Sequence, residues 1–256
     1  PGLSYREYGG KDPEGFMRKH EILDYLQRYR EVVNPPLEEG VEVRSVRCEP
    51  QGFRVRTSSG EYTADQVVVA VGSYHVPKIP ALAARVPAHI QQLHASEYRN
   101  PDSLAPGAVL IVGTGQSGCQ IAEDLHLACR KVHLCTGSAP RVARRYRGRD
   151  VVAWLADMGY YDMPVQEHPL KQGVRTKANH YVTGRDGGRD IDLRRFAREG
   201  MALHGRLLEV TGNTLQLGDD LERNLDAADA TSESIKRSID AYIAKRGIDV
   251  PEEPQI

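Results

Sequence analysis

AVLIVGTGQSGCQIAEDLHLACRKVHLC, residues 108–135, opens with an apolar, β-rich run from Val109 to Val112 and turns on Gly113-Thr114-Gly115-Gln116-Ser117-Gly118. Apolar residues then recur at helical spacing (Ile121, Ala122, Leu125, Ala128), and a second apolar run, Val132 to Cys135, closes the unit. The pattern predicts strand, tight turn, helix, strand, with G-x-G-x-x-G where strand meets helix. That arrangement suits a dinucleotide pyrophosphate. Gly113 permits the turn, Gly115 lets the backbone approach phosphate, and Gly118 lets the helix pack close to the strand. The helix N-terminus offers free N–H groups and a partial positive charge to the anion. The plainer alternative is a glycine-rich turn in some other α/β protein.

Working outward, Pro1 to Pro13 reads as an irregular arm. An amphipathic helix follows, beginning near Glu14 to Lys19 and carrying Ile22, Leu23, Leu26, Tyr29 and Val33 until Asn34-Pro35-Pro36 stops it. Strands are expected at Val41–Cys48, Phe53–Thr57 and Glu61–Thr63, with Ser58-Ser59-Gly60 as a turn, forming a small antiparallel meander. Asp65 to Gly72 is apolar on both faces and ends in glycine, the pattern of a buried parallel strand. Ser73 to Pro80 suits a connection between domains, and Ala81 to Pro106 a linker of limited helical content.

Beyond Cys135 the chain turns basic, with Arg141, Arg144, Arg145, Arg147 and Arg149. Short helices are expected at Val151–Met158 and Asp190–Arg198, and Pro164 to Arg189 shows no period. Strands follow at Arg206–Val210 and Thr214–Leu217. A last helix runs from about Ser232 to Arg246, capped by Thr231 and ended by Gly247. The expected class is α/β: a Rossmann-like NAD(P)-binding domain (residues 81–217), a β-meander with a partial FAD-binding domain (1–80), and a helical segment (218–256) leading back to the latter.

Composition narrows the function. The chain has 256 residues, 40% of them hydrophobic, enough for a sizeable core. A net charge of −1 argues against a nucleic-acid surface. No apolar run approaches the roughly 20 residues needed to cross a bilayer. Cys48, Cys119, Cys129 and Cys135 form no C-x-x-C pair, and His89 and His94 lack ligand spacing with any partner, so no metal site is expected. The cysteines read as reduced thiols of a cytoplasmic protein. The expected partner is a small-molecule substrate, with no membrane or nucleic acid, and self-association is left open.

The second strand indicates which dinucleotide. An NAD site usually places an acid about 20 residues beyond the glycines to hold the ribose hydroxyls. Here the residues are Thr136, Gly137, Ser138, Ala139, Pro140 and Arg141, with Arg144 close behind. Hydroxyls and arginines in place of an acid favour a 2′-phosphate, which arginine binds in a bidentate manner. NADP(H) is therefore preferred, with Thr136, Ser138, Arg141 and Arg144 as candidate contacts. Arg147 and Arg149 read as solvated surface.

Two further stretches complete a resemblance. Ala70-Val71-Gly72 resembles the A-T-G strand that passes near FAD in two-dinucleotide flavoproteins, and His94-Ala95-Ser96-Glu97-Tyr98 resembles the H-S-x-x-Y segment ahead of their second glycine fingerprint. The order of parts is similar to that of the flavin-containing monooxygenase superfamily. Stretches 144–150, 187–193 and 224–229 resemble a bacterial branch often labelled as flavoproteins of potassium transport. The resemblance implies an NADPH-dependent, FAD-containing oxidoreductase of monooxygenase type, with Ala70, Val71 and Gly72 beside FAD and NADP(H) on the glycine turn. It names no catalytic side chain, since the cofactors carry the chemistry; His94 reads as a linker residue.

The chain also departs from the pattern. It lacks the family's first glycine fingerprint, its C-terminal return to FAD and its F-x-G element, and it has Ser138 where relatives often have arginine. It resembles the middle of a flavoprotein trimmed at both ends, so a second reading is a non-catalytic nucleotide-binding fragment lacking FAD. A disulfide reductase needs a close cysteine pair near the flavin, which is missing. No Y-x-x-x-K pair points to a short-chain dehydrogenase.

Overall fold

A computed structural model describes residues 5–9, 12, 15–72 and 76–253. The expected arm, inter-domain connection and C-terminal tail lie partly outside these residues. The chain divides into two compact units, Pro1–Lys78 and Ile79–Ile256.

The first unit begins with a single helical turn, α1 (Tyr5–Tyr8), where an irregular arm was expected, and then α2 (Lys19–Val33). α2 stops where Asn34 adopts a left-handed conformation (φ 46°) and returns its N–H to Arg30 O at 2.7 Å. That conformation suits asparagine, and the prolines that follow block a further helical turn. Strands β1 (Val43–Glu49), β2 (Gly52–Thr57) and β3 (Glu61–Ala64) form the anticipated antiparallel meander in that order. Arg54 on central β2 reaches Glu49 on β1 (2.5 Å) and Glu61 on β3 (3.1 Å), a cross-strand ion-pair ladder.

Asp65–Gly72 overturns its expectation of a buried strand. It forms no strand, and Val68, Val69 and Val71 are 88%, 75% and 67% exposed. A strand needs a ladder partner, and no described strand lies beside this run. Unpaired and uncovered, the valines stay in water. Gly72 has φ 72°, a conformation open to glycine.

In the second unit the strand–turn–helix–strand element folds as read: β4 (Val109–Val112), α3 (Gln116–Leu127) and β5 (Val132–Cys135), the two strands parallel with Val112 opposite Cys135. The chain continues through a two-residue hairpin, β6 (Arg145–Tyr146) and β7 (Arg149–Asp150), into α4 (Val151–Asp157). Residues 164–189 contain only short 3-10 turns and one isolated backbone bridge at Tyr181, in keeping with their lack of period. Then come α5 (Leu193–Arg198), β8 (Ala202–His204), a hairpin of β9 (Leu207–Thr211) and β10 (Thr214–Leu217), and α6 (Leu221–Arg246).

β8 was not anticipated from sequence. It pairs parallel with β5 and makes the sheet three-stranded, in the order β4–β5–β8. α6 begins at Leu221, well before the expected Ser232. Thr231 therefore does not cap it; it lies inside, its hydroxyl donating to Ala227 O at 2.9 Å. The earlier turns hold because Leu225 and Ala228 find apolar cover and Asn224 is buried against the sheet loop. Gly247 ends α6 as expected, left-handed at φ 62°.

Two apolar clusters hold this unit. Val132 and Leu134 of β5 meet Cys119, Ala122 and Leu125 of α3 and Phe196 of α5, all essentially buried. Val142, Tyr146, Val151, Trp154 and Leu155 pack on Ile239 and Ile243 of α6, with Trp154 Nε1 donating to Tyr146 O at 2.9 Å. Each large apolar side chain so buried contributes about 1.5–3 kcal/mol. The second cluster also brings α6 alongside the Arg144–Asp150 segment.

Candidate nucleotide-binding site

The site is assembled from the loops at the C-terminal ends of β4 and β5, where ligands bind in parallel α/β sheets. Gly113 (φ 102°) makes the turn out of β4 and donates its N–H to Cys135 O at 2.9 Å, a conformation that L side chains rarely adopt. A Cβ on Gly118 would lie 2.1 Å from Gly113 O, so only glycine allows α3 to sit this close to the strand. A Cβ on Gly115 would meet nothing within 4 Å. The space over Gly115 opens onto the first turn of α3, whose leading N–H groups have no intrahelical acceptor. A wall that excludes side chains at Gly118 and an open cradle at Gly115 fit a bound pyrophosphate.

The remaining predicted residues fall into two sets. Ser117, on the first turn of α3, and Ser138, in the loop after β5, are exposed. Thr114, Gln116 and Thr136 instead turn their side chains into the protein and frame the loops. Thr114 Oγ1 accepts from Gly137 N at 3.0 Å, joining the turn after β4 to that after β5. The Gln116 amide makes a two-way bond with Val182, donating to its O (2.8 Å) and accepting from its N (3.0 Å). Gln120 Nε2 donates to the same carbonyl at 2.9 Å. Thr136 donates to His204 O from both its amide (2.8 Å) and its hydroxyl (2.9 Å), and accepts from Asn224 Nδ2 at 3.2 Å.

Beneath Thr136 the sheet carries a histidine pair. His133 Nδ1 and His204 Nε2 are 3.0 Å apart on neighbouring strands, with their rings nearly parallel. Burial, and then the charge of His133, holds the His204 imidazolium below its ordinary pKa. Neither histidine was singled out from sequence, since their pairing exists only once β8 docks.

The candidate arginines are ion-paired. Arg141 places Nη1 3.1 Å from Asp229 and Nη2 4.0 Å from Asp190, and is bridged at the backbone to Tyr181. Arg144 pairs with Asp150 at 2.5 Å, both side chains largely buried at 12% and 15% exposure. The acids were not identified in advance, because Asp190 and Asp229 lie 49 and 88 positions beyond Arg141. Arg145 donates to Gly187 O, and Arg149 lies over the Trp154 ring.

A cleft of about 360 Å3 runs along α3, lined among others by Tyr98, Ser117, Gln120, Asp124, Thr183 and Arg185. Tyr98 donates to Asp124 at 2.7 Å, and Arg185 reaches the other oxygen of that carboxylate at 2.6 Å. Glu123, buried on α3, is held by Arg189 at 2.8 Å. The motif residue His94 is engaged in its own turn, with Ser96 Oγ 2.9 Å from Nδ1. Cys119 and Cys135 are buried thiols whose pKa values burial pushes up, and Cys48 and Cys129 are exposed; all four are free. Among the described residues no group of three or more His, Cys, Asp or Glu is arranged to hold a metal ion, and no helix is long and apolar enough to cross a membrane.

For the flavin the fit is different. Ala70, Val71 and Gly72 are exposed on a run without secondary structure, and among the described residues no second strand–glycine turn–helix unit is present. The described residues therefore contain one glycine turn of the kind that suits a pyrophosphate and no second one.

Comparison with known proteins accords with this geometry. Residues 10–178 match the family described as pyridine nucleotide-disulphide oxidoreductase. An uncharacterized CzcO-like oxidoreductase of Geobacillus kaustophilus is 31% identical over 221 residues, covering 86% of this chain and 60% of that protein. The uncharacterized oxidoreductase CzcO of Bacillus subtilis is 39% identical over 181 residues, covering 65% of this chain and 52% of its own length. The chain spans about half the length of the curated relatives it matches. A flavin monooxygenase from Stenotrophomonas maltophilia shares the fold, with a TM-score of 0.56 at 20% identity over 82% of this chain and 54% of that one. Family membership implies FAD and a pyridine nucleotide as cofactors. With the Rossmann-type turn in place and more than half of its length matched by that family's model, the chain belongs to the pyridine nucleotide-disulphide oxidoreductase family.

Proposed function

We propose that this chain is the pyridine-nucleotide-binding part of a flavin-dependent oxidoreductase of monooxygenase type, with NADPH as the preferred reductant and a small organic molecule as substrate. The observation that carries the reading is the glycine turn: closed to any side chain at Gly118 and open at Gly115. When bound, the two cofactors supply hydride transfer and oxygen activation. The chain's own residues bind and orient. The first turn of α3 and the Ser117 hydroxyl would receive the pyrophosphate. Ser138 and Arg141, beyond β5, would read the adenosine end. Thr114, Gln116 and Thr136 hold these loops in place. Residues 70–72 are proposed to face FAD in the whole protein, an assignment that rests on the motif alone. Family membership and the relatives weigh against a non-catalytic fragment.

The test is a calorimetric titration of the chain with NADPH and separately with NADH, alongside Gly115→Asp and Arg141→Ala. Binding of NADPH, its abolition in Gly115→Asp, and a larger loss for NADPH than for NADH in Arg141→Ala are expected. Retention of full affinity in Gly115→Asp would remove the glycine turn from the site. Equal losses for the two nucleotides in Arg141→Ala would mean that Arg141 does not read the 2′-phosphate.

A further inference from the structure

We propose that Asp229 is a specificity-determining residue for the nucleotide: its carboxylate holds the Arg141 guanidinium and competes with a 2′-phosphate, so the chain separates NADPH from NADH only modestly. The inference rests on the reading that Arg141 faces that phosphate. Asp229 lies on α6 and places Oδ1 3.1 Å from Arg141 Nη1 and Oδ2 3.1 Å from Arg194 Nε. Arg194 also takes Asp226 at 2.5 Å. Asp190 gives one oxygen to the Arg144 amide (2.6 Å) and keeps the other 4.0 Å from Arg141. Arg144 is itself neutralised by Asp150.

These connected pairs contain three arginines (141, 144 and 194) and four aspartates (150, 190, 226 and 229), a surplus of one negative charge. A phosphate monoester carrying close to two negative charges meets no excess of cation there. To gain Arg141 it must displace a carboxylate already in place. Arg141 keeps a stake in binding nonetheless: its side chain is 21% exposed, and its buried Nε has no hydrogen-bond partner. Asp229 makes the shorter of its two ion pairs. Asp190 is committed to the Arg144 backbone, so its removal would also disturb the loop.

The experiment measures Kd for NADPH and for NADH by titration of the full chain and of Asp229→Asn, Asp226→Asn and Arg141→Ala. Asp229→Asn is expected to raise the NADPH preference by up to about fivefold, the upper end for releasing one partly exposed ion pair, with NADH affinity nearly unchanged. Asp226→Asn removes the same charge from α6 without touching Arg141 and is expected to leave the ratio within twofold of wild type. The proposal is overturned if Asp229→Asn leaves or lowers the ratio, or if Asp226→Asn moves it as far, which would indicate a general field and not a local competition. Should Asp229→Asn fail to fold, Asp229→Ser carries the same expectation. Arg141→Ala separates the two levels. A lowered ratio there beside an unmoved Asp229→Asn sinks the Asp229 inference alone. An unmoved ratio in Arg141→Ala sinks the underlying reading as well.

Discussion

Thr114 Oγ1 accepts the amide proton of Gly137 at 3.0 Å, which makes the turn after β4 and the turn after β5 one hydrogen-bonded unit. Thr114 is buried, so water is a poor substitute for it. Thr114→Val keeps the shape and strands the Gly137 N–H. The expected loss is about 1 kcal/mol of stability, the usual net worth of one hydrogen bond, with a parallel loss of NADPH affinity. Urea denaturation checks the first and calorimetry the second; an unmoved midpoint would mean that the loops are joined by other contacts.

Gly115 and Gly118 should separate binding from folding. A side chain at Gly115 enters open space, whereas one at Gly118 strikes Gly113 O. Gly115→Asp is expected to keep its thermal midpoint within a few degrees while losing nucleotide. Gly118→Ala is expected to lose about 1–3 kcal/mol of stability, as overpacked sites do. Circular dichroism melts of the two variants, read beside NADPH titrations, decide the matter. Equal destabilisation would contradict the geometry.

Gln116 acts through Val182. Truncation to alanine removes both of its bonds to that backbone, while the Gln120 bond remains. Gln116→Ala should cost about 1–2 kcal/mol and speed amide exchange in the segment around residues 181–183. Exchange confined to wild-type rates there would show that Gln120 alone suffices.

The His133–His204 pair predicts an acid-sensitive fold. Burial first, and His133 second, lower the pKa of His204 below its ordinary 6.5. Between that lowered value and 6.5 the unfolded chain binds more protons than the native one, so stability falls as pH falls through this window and is fully retained above it. Denaturation midpoints measured from pH 8 to pH 5 should decline below about pH 6.5, and His204→Asn should flatten that part of the curve. An unchanged slope in the variant would assign the acid sensitivity elsewhere.

The strand–turn–helix core could be read from sequence because Gly113 to Gly118 and the flanking apolar runs sit within one short stretch, where local pattern and local structure coincide. The same holds for the meander and for the ends of α2 and α6, marked by Asn34 and Gly247. Asp65–Gly72 misled because hydrophobicity reports a preference for burial without supplying the partner that provides it. β8 was too short, at three residues, to show a period. The early turns of α6 carry Asn224, Asp226, Thr231 and Ser232, residues that prefer caps and turns. They are helical here through Leu225, Ala228 and the bond from Asn224 to Thr136. The glycines and serines of the candidate site were legible for the same local reason that the fold was. The aspartates that hold Arg141 were not, since only tertiary packing brings residues 190 and 229 to residue 141.

The sheet itself closes late. β4, α3 and β5 emerge from the ribosome within one stretch ending at Cys135, but β8 begins only at Ala202. At usual synthesis rates of about 5–20 residues per second, β5 waits several seconds with an open edge before its neighbour exists. Its edge carries His133 beside the apolar Val132 and Leu134, and until His204 arrives the Thr136 amide and hydroxyl lack the acceptor they have in the finished protein. The nascent chain is therefore most exposed to unwanted strand pairing in that interval, and substitutions that slow the docking of β8 would lower the yield of folded protein before they changed its equilibrium stability.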